Sequence, residues 1–275
     1  MGKPSFSLIA VFTDPAHHFK GNVAAVVMGD KPYSNEVMQS LATDLNQPAT
    51  SFLWPAEKEN EYHVRWFASD AEIGLCGHGS LAAIVYLAQQ SGKGDPFTLL
   101  YPNGQISGRR NTEGSCSLIL AAIPVLPPEP VPDLLPQALG IPVLSVFPTD
   151  NKSIVLVENQ QDVQRMKPDF ALLRQLPTLG YAVTAPGEEV DFVSRTLVPH
   201  FHQLEDSATG SSHAALAPFW AQRLNQENLV AHQLSSRGGK FTCEVTGDQV
   251  LLRGESTLIA TGQLLQLPDL PHESL

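Results

Sequence analysis

The chain has 275 residues, 43% of them hydrophobic and 16% charged, with a formal net charge of −11 at pH 7. This length suits one large or two modest domains. The negative charge argues against nucleic acid or an anionic membrane as the main partner. No apolar run is long enough to span a membrane, no signal-peptide pattern opens the chain, and the three cysteines suit reduced thiols better than a disulfide framework. We therefore expect a cytoplasmic protein.

The first half of the chain leads to a glycine-rich loop followed by an apolar helix. Strands are predicted from apolar runs and alternation at residues 5–12, 23–28 and 62–67. An amphipathic helix is expected to begin at Ser34. Residues 69–80 form a polar loop rich in glycine, and residues 81–88 behind it are apolar on nearly every side, which is typical of a buried helix.

The second half repeats this order. A proline-rich stretch at residues 124–132 favours an extended spacer and is the expected crossover between domains. Beyond it, a helix is predicted to start at Pro168, and strands are predicted at residues 153–157, 181–184 and 190–195. The polar loop 205–213 then opens a second apolar helix. Corresponding positions lie about half a chain length apart, which argues for two halves of similar topology.

Two such halves indicate an α+β protein with two domains. We assign residues 1–122 to the first and 123–255 to the second, and a final strand within 256–275 can return to the first. The N–H groups at each helix start can bind an anion, and a cleft between the domains is the expected place for a small ligand. The simpler alternative is an ordinary core helix in each half, with Ser211 or Ser212 as the N-cap of the second.

Several motifs resemble the PhzF family of phenazine-biosynthesis-like proteins. Residues 12–13 (F-T) and 19–26 (F-x-G-N-x-A-A-V) resemble the opening of that family. Residues 72–82 (E-x-x-x-C-G-H-G-S-L-A) resemble its E-x-x-x-C-G-H-A-T-L-A segment, and residues 206–220 (D-x-x-T-G-S-x-H-x-x-L-A-P-x-W) resemble its D-P-x-T-G-S-A-H-x-x-L-A-P-Y-W segment. Residues 236–239 match its late S-R-G-G turn. The motifs follow the family's order and cover both halves.

The resemblance implies a diaminopimelate-epimerase-like fold: two pseudo-symmetric domains, each a curved, mostly antiparallel sheet wrapped around a central apolar helix. It also implies an isomerase that moves a proton on a small carboxylate-bearing metabolite in the inter-domain cleft, with no metal and no organic cofactor. Asp206 and His78 occupy the positions of the family's catalytic Asp and cleft His. The substrate-binding positions are Gly77, Gly79, Ser80, Thr209, Gly210 and Ser211. A homodimer is left open.

The chain departs from the family at Ala49. The family reads S-E-T-x-F there, and its Glu is the main general acid/base, whereas this chain reads P-A-T-S-F at residues 48–52. A methyl group cannot carry a proton, so the family's own reaction should be lost or strongly slowed. Three alternatives follow: an isomerase of a different substrate in which Asp206 and His78 share proton transfer, a binding protein without turnover, or an enzyme in which another residue replaces the Glu.

The replacement candidates are Cys76, Asp70 and His213. A two-thiol mechanism like that of diaminopimelate epimerase is excluded, because the loop from residue 206 to 209 occupies the place of the second cysteine. A buried Cys in a tight loop is more often structural. The plain alternatives remain that Asp206 only complements a helix dipole and that His78 is only a satisfied loop histidine.

Three further features of the sequence are not assigned to proton transfer. Glu72 is expected to be a structural hydrogen-bond partner, and Arg237 to pair with an acid or with the substrate. The doublet His17-His18 is not favoured as a metal site, because adjacent side chains tend to point apart. A protein-interaction module would require large exposed apolar patches, which this sequence does not indicate.

Overall fold

The computed structural model describes residues 5–92, 96–150 and 152–265. These residues divide into two compact units. The first contains residues within 5–11, 23–118 and 255–265, and the second contains residues within 12–22 and 119–254. The grouping of the short segment 12–22 with the second unit had no signal in the sequence pattern.

The first unit is a mixed sheet with two helices. Its elements are β1 (Ser5–Thr13), β2 (Asn22–Met28), α1 (Asn35–Leu45), β3 (Ala49–Pro55), β4 (Glu61–Phe67), β5 (Glu72–Ile73), α2 (Gly77–Ser91), β6 (Phe97–Tyr101), β7 (Gly104–Arg110) and β8 (Cys116–Ala121). Strands β1, β2 and β8 each have one or more end residues in the second unit. Strands β2 and β3 pair in parallel, as do β4 and β6. The pairs β3–β4, β4–β5 and β6–β7 are antiparallel.

Helix α2 forms the core of the first unit. Every residue from Gly77 to Ala88 is buried, which explains why the sequence is apolar on nearly all sides of this helix. It packs on β3 and β7. Helix α1 covers the sheet with one face only, and it starts where predicted, since the Ser34 hydroxyl accepts the N–H of Val37.

The second unit has more elements but the same central pattern. They are α3 (Leu134–Leu139), β9 (Ser145–Pro148), β10 (Ser153–Leu156), α4 (Gln160–Arg165), α5 (Phe170–Leu173), β11 (Tyr181–Pro186), β12 (Phe192–Leu197), β13 (Glu205–Asp206), α6 (Gly210–Leu224), β14 (Asn228–Gln233), β15 (Gly239–Thr246) and β16 (Gln249–Gln263), whose last residues belong to the first unit. A 3-10 turn at Pro15–His17 also lies in this unit.

Strand pairing in the second unit repeats that of the first. Strands β10 and β11 pair in parallel, as do β12 and β14, and the pairs β11–β12, β12–β13 and β14–β15 are antiparallel. Each unit therefore has a two-residue strand, β5 or β13, directly before its central helix, α2 or α6. This repetition gives the two helix starts equivalent places within their own units.

The start of α6 differs from one sequence interpretation. Neither Ser211 nor Ser212 is the N-cap, because the helix already begins at Gly210 and Thr209 is its N-cap. The N-terminal turn of α6 thus contains both serines, and the loop before it is shorter than expected. Within the described ranges, no helix is both long and apolar enough to cross a membrane.

Candidate active site

The carboxylate of Asp206 is held at the start of α6 by two donors. The Nδ2 of Asn22 donates to Asp206 Oδ1 at 2.6 Å, and the hydroxyl of Thr209 donates to Asp206 Oδ2 at 2.7 Å. Asn22 is fully buried and also donates to the carbonyl of Ala208 at 3.1 Å. Each carboxylate oxygen has two lone pairs, so each retains acceptor capacity after these contacts. The side chain of Asp206 is therefore fixed in orientation but still able to accept a proton.

Gln233, at the end of β14, fixes the backbone of Asp206 and Thr209 by hydrogen bonds. Its Nε2 donates to the Asp206 carbonyl at 2.6 Å and to Thr209 Oγ1 at 3.1 Å, and its Oε1 accepts the N–H of Thr209 at 2.9 Å. Both donors of Thr209 are thus used within the protein. We therefore assign Thr209 to the positioning of Asp206, in place of the predicted direct contact with substrate.

Lys152, just before β10, brings a cation to the same helix start. Its ammonium donates to the hydroxyl of Ser211 at 3.3 Å. Burial lowers the pKa of Lys152, while the charges of Asp206 and Asp150 act in the opposite direction. The start of α6 therefore combines a carboxylate, an ammonium group and the unpaired first N–H groups of a helix. Such a site can bind an anion and stabilise negative charge that develops on it.

His213 does not belong to this site. It is fully buried, its ring stacks 3.5 Å from that of Phe241, and its Nδ1 bonds the Thr209 carbonyl at 2.9 Å. Burial lowers the pKa of His213 to about 4. A side chain that is completely buried in the core cannot meet a substrate, so this candidate is withdrawn.

In the first unit, Cys76 is the N-cap of α2 and His78 lies in its first turn. The two side chains are in contact, with Cys76 Sγ 3.5 Å from His78 Nδ1, and both residues are buried. His78 keeps 6% of its surface exposed, which leaves its ring at the edge of the core. The contact gives His78 a fixed ring orientation, as a proton-transfer residue requires.

Two of the predicted substrate-binding residues at this helix start, Ser80 and Gly79, have structural roles. Ser80 is fully buried, and both its N–H and its hydroxyl donate to the carbonyl of Cys76, at 2.9 and 2.7 Å. We therefore no longer assign Ser80 to substrate binding. Gly79 is needed for close packing, because a Cβ there would lie 2.8 Å from Trp66 Cδ1 and 3.0 Å from Ser51 Oγ. The N–H groups of Gly77 and Gly79 remain candidates for an anion.

Ala49, where the family has its Glu, is the first residue of β3 and is fully buried. Of the other acids considered nearby in sequence, Asp70 is exposed. Glu72 forms a two-bond ion pair with Arg65 at 2.7 and 2.6 Å, which confirms its structural interpretation. Both residues are exposed to solvent, so their surroundings do not favour either as the replacement for the Glu.

Arg237 was predicted to pair with an acid or with the substrate, and its guanidinium bonds backbone carbonyls within the described part of the chain. Its guanidinium donates to the backbone carbonyls of Gly21 at 2.8 Å and Lys20 at 3.1 Å. Gly238 follows in the left-handed region, with φ of 68°, and forms the expected turn. The hydrogen bonds of Arg237 therefore attach the segment 12–22 to the rest of the second unit, and Asn22, at the end of this segment, contacts Asp206.

Sequence reasoning missed Lys152, Gln233 and the role of Asn22. A signal existed for Asn22, which lies in the Gly21-Asn22 motif that supported the family resemblance. Lys152 and Gln233 lie at strand ends with no motif around them, so no comparable signal was present.

Comparisons with known proteins show which family the chain resembles. The profile of the PhzC-PhzF family, described as phenazine biosynthesis-like protein, matches residues 9–262. An uncharacterised isomerase of Pseudomonas aeruginosa is 36% identical over 249 residues, which cover 90% of this chain and 93% of that protein. The crystal structure of a PhzF-family protein of Enterococcus faecalis aligns with a TM-score of 0.89 at 31% identity, covering 96% of this chain and all of that one.

A more distant structure shares the fold alone. A probable proline racemase of Agrobacterium radiobacter aligns with a TM-score of 0.65 at 11% identity, over 95% of this chain and 92% of that one. The architecture is thus that of the diaminopimelate-epimerase-like and proline-racemase-like proteins, and the predicted fold class is confirmed. Within that class, the chain belongs to the PhzF family of phenazine biosynthesis-like proteins. Relatives named isomerases support an isomerase or epimerase function.

Proposed function

We propose that this protein is a cofactor-independent isomerase that moves a proton on a small carboxylate-bearing substrate. The observation that carries the proposal is the Asp206 carboxylate, fixed by Asn22 and Thr209 at a helix start that also holds the Lys152 ammonium. A carboxylate fixed in this way can act as a general base, and the cation with the helix N–H groups can stabilise the anion formed.

The proposed reaction uses three side chains. Asp206 removes a proton from a carbon next to the substrate carboxylate, and the electron pair of the broken C–H bond moves into an enolate-like anion. The Lys152 ammonium and the N–H groups of α6 stabilise this charge. His78 donates a proton to a carbon of the anion, and solvent exchange then returns Asp206 and His78 to their starting states. This assignment removes the need for a Glu at position 49.

The test is deuterium incorporation from D₂O into a panel of small carboxylates, such as amino acids, hydroxy acids and unsaturated dicarboxylates. We expect exchange at a carbon next to the carboxylate with the wild type. Exchange should fall by about 10²- to 10⁴-fold in Asp206→Asn and in His78→Ala. The matched control is Asp70→Asn, because this carboxylate is exposed. Exchange that survives Asp206→Asn would overturn the assignment.

The alternative is a silent small-molecule binder, and the observation that favours it is Ala49. Such a protein would bind carboxylates without exchanging a proton in any of them. The variant Ala49→Glu distinguishes the two cases further. Because Ala49 is fully buried, circular dichroism must first show that the variant folds. Exchange that appears only in this variant would identify a binder that kept the remaining machinery.

A further inference from the structure

A cluster of potential metal ligands on the second unit includes none of the residues assigned to proton transfer. Ligand atoms of Asp14, His17 and His232 all lie within 4.8 Å of one another. Asp14 is the N-cap of the 3-10 turn that ends at His17, and His232 lies on β14. The turn and the strand therefore bring two imidazoles and a carboxylate to one point.

His232 is the unusual member of this cluster. Its residue is 6% exposed, and its Nε2 has no hydrogen-bond partner among the described residues. The ring meets that of His17 edge-on at 4.7 Å and that of Phe19 at 5.0 Å. Buried polar atoms almost always have a partner, so an unpaired imidazole nitrogen here needs an explanation. A buried imidazole nitrogen that lacks a hydrogen-bond partner can offer its lone pair to a metal ion.

The Asp14 carboxylate already attracts positive charge. Its Oδ2 accepts the Nδ1–H of His17 at 2.7 Å and the ammonium of Lys240 at 3.1 Å, and its Oδ1 accepts the N–H of Ala16 at 3.1 Å. A second carboxylate, that of Glu189, lies 4.0 Å from His17 Nε2 and is exposed to solvent. Lys240 therefore occupies a place that a cation coordinated by Asp14 would take.

We propose that Asp14, His17 and His232 form a binding site for a divalent transition-metal ion, with Zn²⁺ as the best match. Two imidazoles and one carboxylate are a ligand set that Zn²⁺ uses in proteins, and a water molecule can complete a tetrahedron. The ion satisfies the unpaired Nε2 of His232. It displaces the Lys240 ammonium and the proton shared by His17 and Asp14, and that proton passes to solvent.

The site differs from the metal-binding doublet considered for the sequence. His18 is not part of it, because His18 adopts a left-handed conformation, with φ of 58°, that ends the 3-10 turn. His17 instead meets a histidine that is distant in the chain. An ion at this point would join the segment 12–22 to β14, and it would therefore also stabilise the fold of the second unit.

The experiment titrates Zn²⁺ into the metal-free full-length protein and follows binding by calorimetry, with Co²⁺ absorption as a spectroscopic check of coordination. We expect one ion per chain. Binding should be lost in His17→Ala and His232→Gln. It should be strengthened by about tenfold in Lys240→Gln, which removes the competing ammonium. The control is His202→Ala, because His202 is exposed and lies outside the cluster.

His17→Ala is the decisive variant, because the side chain of His17 is 39% exposed and its removal should leave the fold intact. Circular dichroism and the unfolding midpoint without metal check this point. A rise of the unfolding midpoint with Zn²⁺ in the wild type but not in His17→Ala would support the site. The absence of Zn²⁺ binding by the wild type, or equal binding by wild type and His17→Ala, would overturn it.

Discussion

Asn22 donates a 2.6 Å hydrogen bond to the carboxylate of Asp206, although 184 positions separate the two residues in the chain. The same amide group donates to the carbonyl of Ala208, so Asn22 fixes both the side chain of Asp206 and the backbone that follows it. Arg237 holds the carbonyl of Gly21, the residue before Asn22. The orientation of the proposed base thus depends on the segment 12–22.

Replacing Asn22 by Asp should destabilise the protein in a pH-dependent way. The new carboxylate would stand in hydrogen-bond contact with that of Asp206, and two like charges at this distance cannot both remain ionised at low cost. We expect the free energy of unfolding to fall as pH rises above about 4, the range in which free carboxyl groups ionise. Urea unfolding at several pH values measures this.

The control for this prediction is Asn22→Ala. It removes the two hydrogen bonds without adding charge, and it should cost about 1–3 kcal/mol with little dependence on pH. If Asn22→Asp and Asn22→Ala showed the same pH dependence, the contact between Asn22 and Asp206 would not hold in solution.

Gly79→Ala should destabilise the first unit even though the family segment has Ala at this position. A Cβ would lie 2.8 Å from Trp66 Cδ1 and 3.0 Å from Cys76 Sγ, which forces neighbouring groups to move. Overpacking costs about 1–3 kcal/mol, and the better helix propensity of Ala returns about 1 kcal/mol. We therefore expect a net loss of about 1 kcal/mol in urea unfolding.

Gly74→Ala is the matched control, since a Cβ at Gly74 would meet no atom within 4 Å. The smaller side chain in Trp66→Phe should recover part of the loss when it is combined with Gly79→Ala. Equal stability of Gly79→Ala and the wild type would mean that Trp66 adjusts freely.

The motifs of the sequence were sufficient to predict the family and a buried helix behind each polar loop, but both helices begin inside the predicted loops, at Gly77 and Gly210. The motifs could not predict which side-chain donors are already used within the protein. Ser80 and Thr209 resemble ligand-binding hydroxyl residues in sequence, but each donates within its own helix start. Spacing along a chain reports where a residue lies on a helix or strand, and it does not report the hydrogen bonds that the side chain makes.

Lys152 shows a second limit. It contacts Ser211, 59 positions later in the chain. In the sequence it is a single cation before an apolar strand, which is usually a solvated residue. A contact between residues so far apart in the chain cannot be found from local pattern.

Lys152→Met should reduce deuterium exchange and leave the fold intact. Methionine keeps much of the length and apolar character of the lysine stem, and it removes the ammonium that contacts Ser211. Loss of a group that stabilises a developing anion costs about 10²- to 10³-fold in rate. Lys152→Arg retains the charge and should keep more of the activity. An unchanged exchange rate in a folded Lys152→Met variant would remove Lys152 from the proposed mechanism.

His213 should contribute to acid unfolding. Burial lowers the pKa of His213 from 6.5 to about 4 in the folded protein, so the unfolded chain binds a proton more readily than the folded chain between these values. The stabilisation from the neutral ring is therefore complete above pH 6.5 and is lost as pH falls towards about 4. A shift of this size corresponds to roughly 3 kcal/mol.

The variant His213→Phe tests this prediction. The phenyl ring can still stack on Phe241, but it cannot titrate or bond the Thr209 carbonyl. At neutral pH we expect a loss of about 1 kcal/mol from the missing hydrogen bond. Between pH 6.5 and about 4, the free energy of unfolding should fall less steeply than in the wild type. His202→Gln, a change at an exposed histidine, should retain the wild-type slope. Equal slopes in His213→Phe and the wild type would mean that the His213 ring is protonated in the folded protein as easily as in the unfolded chain.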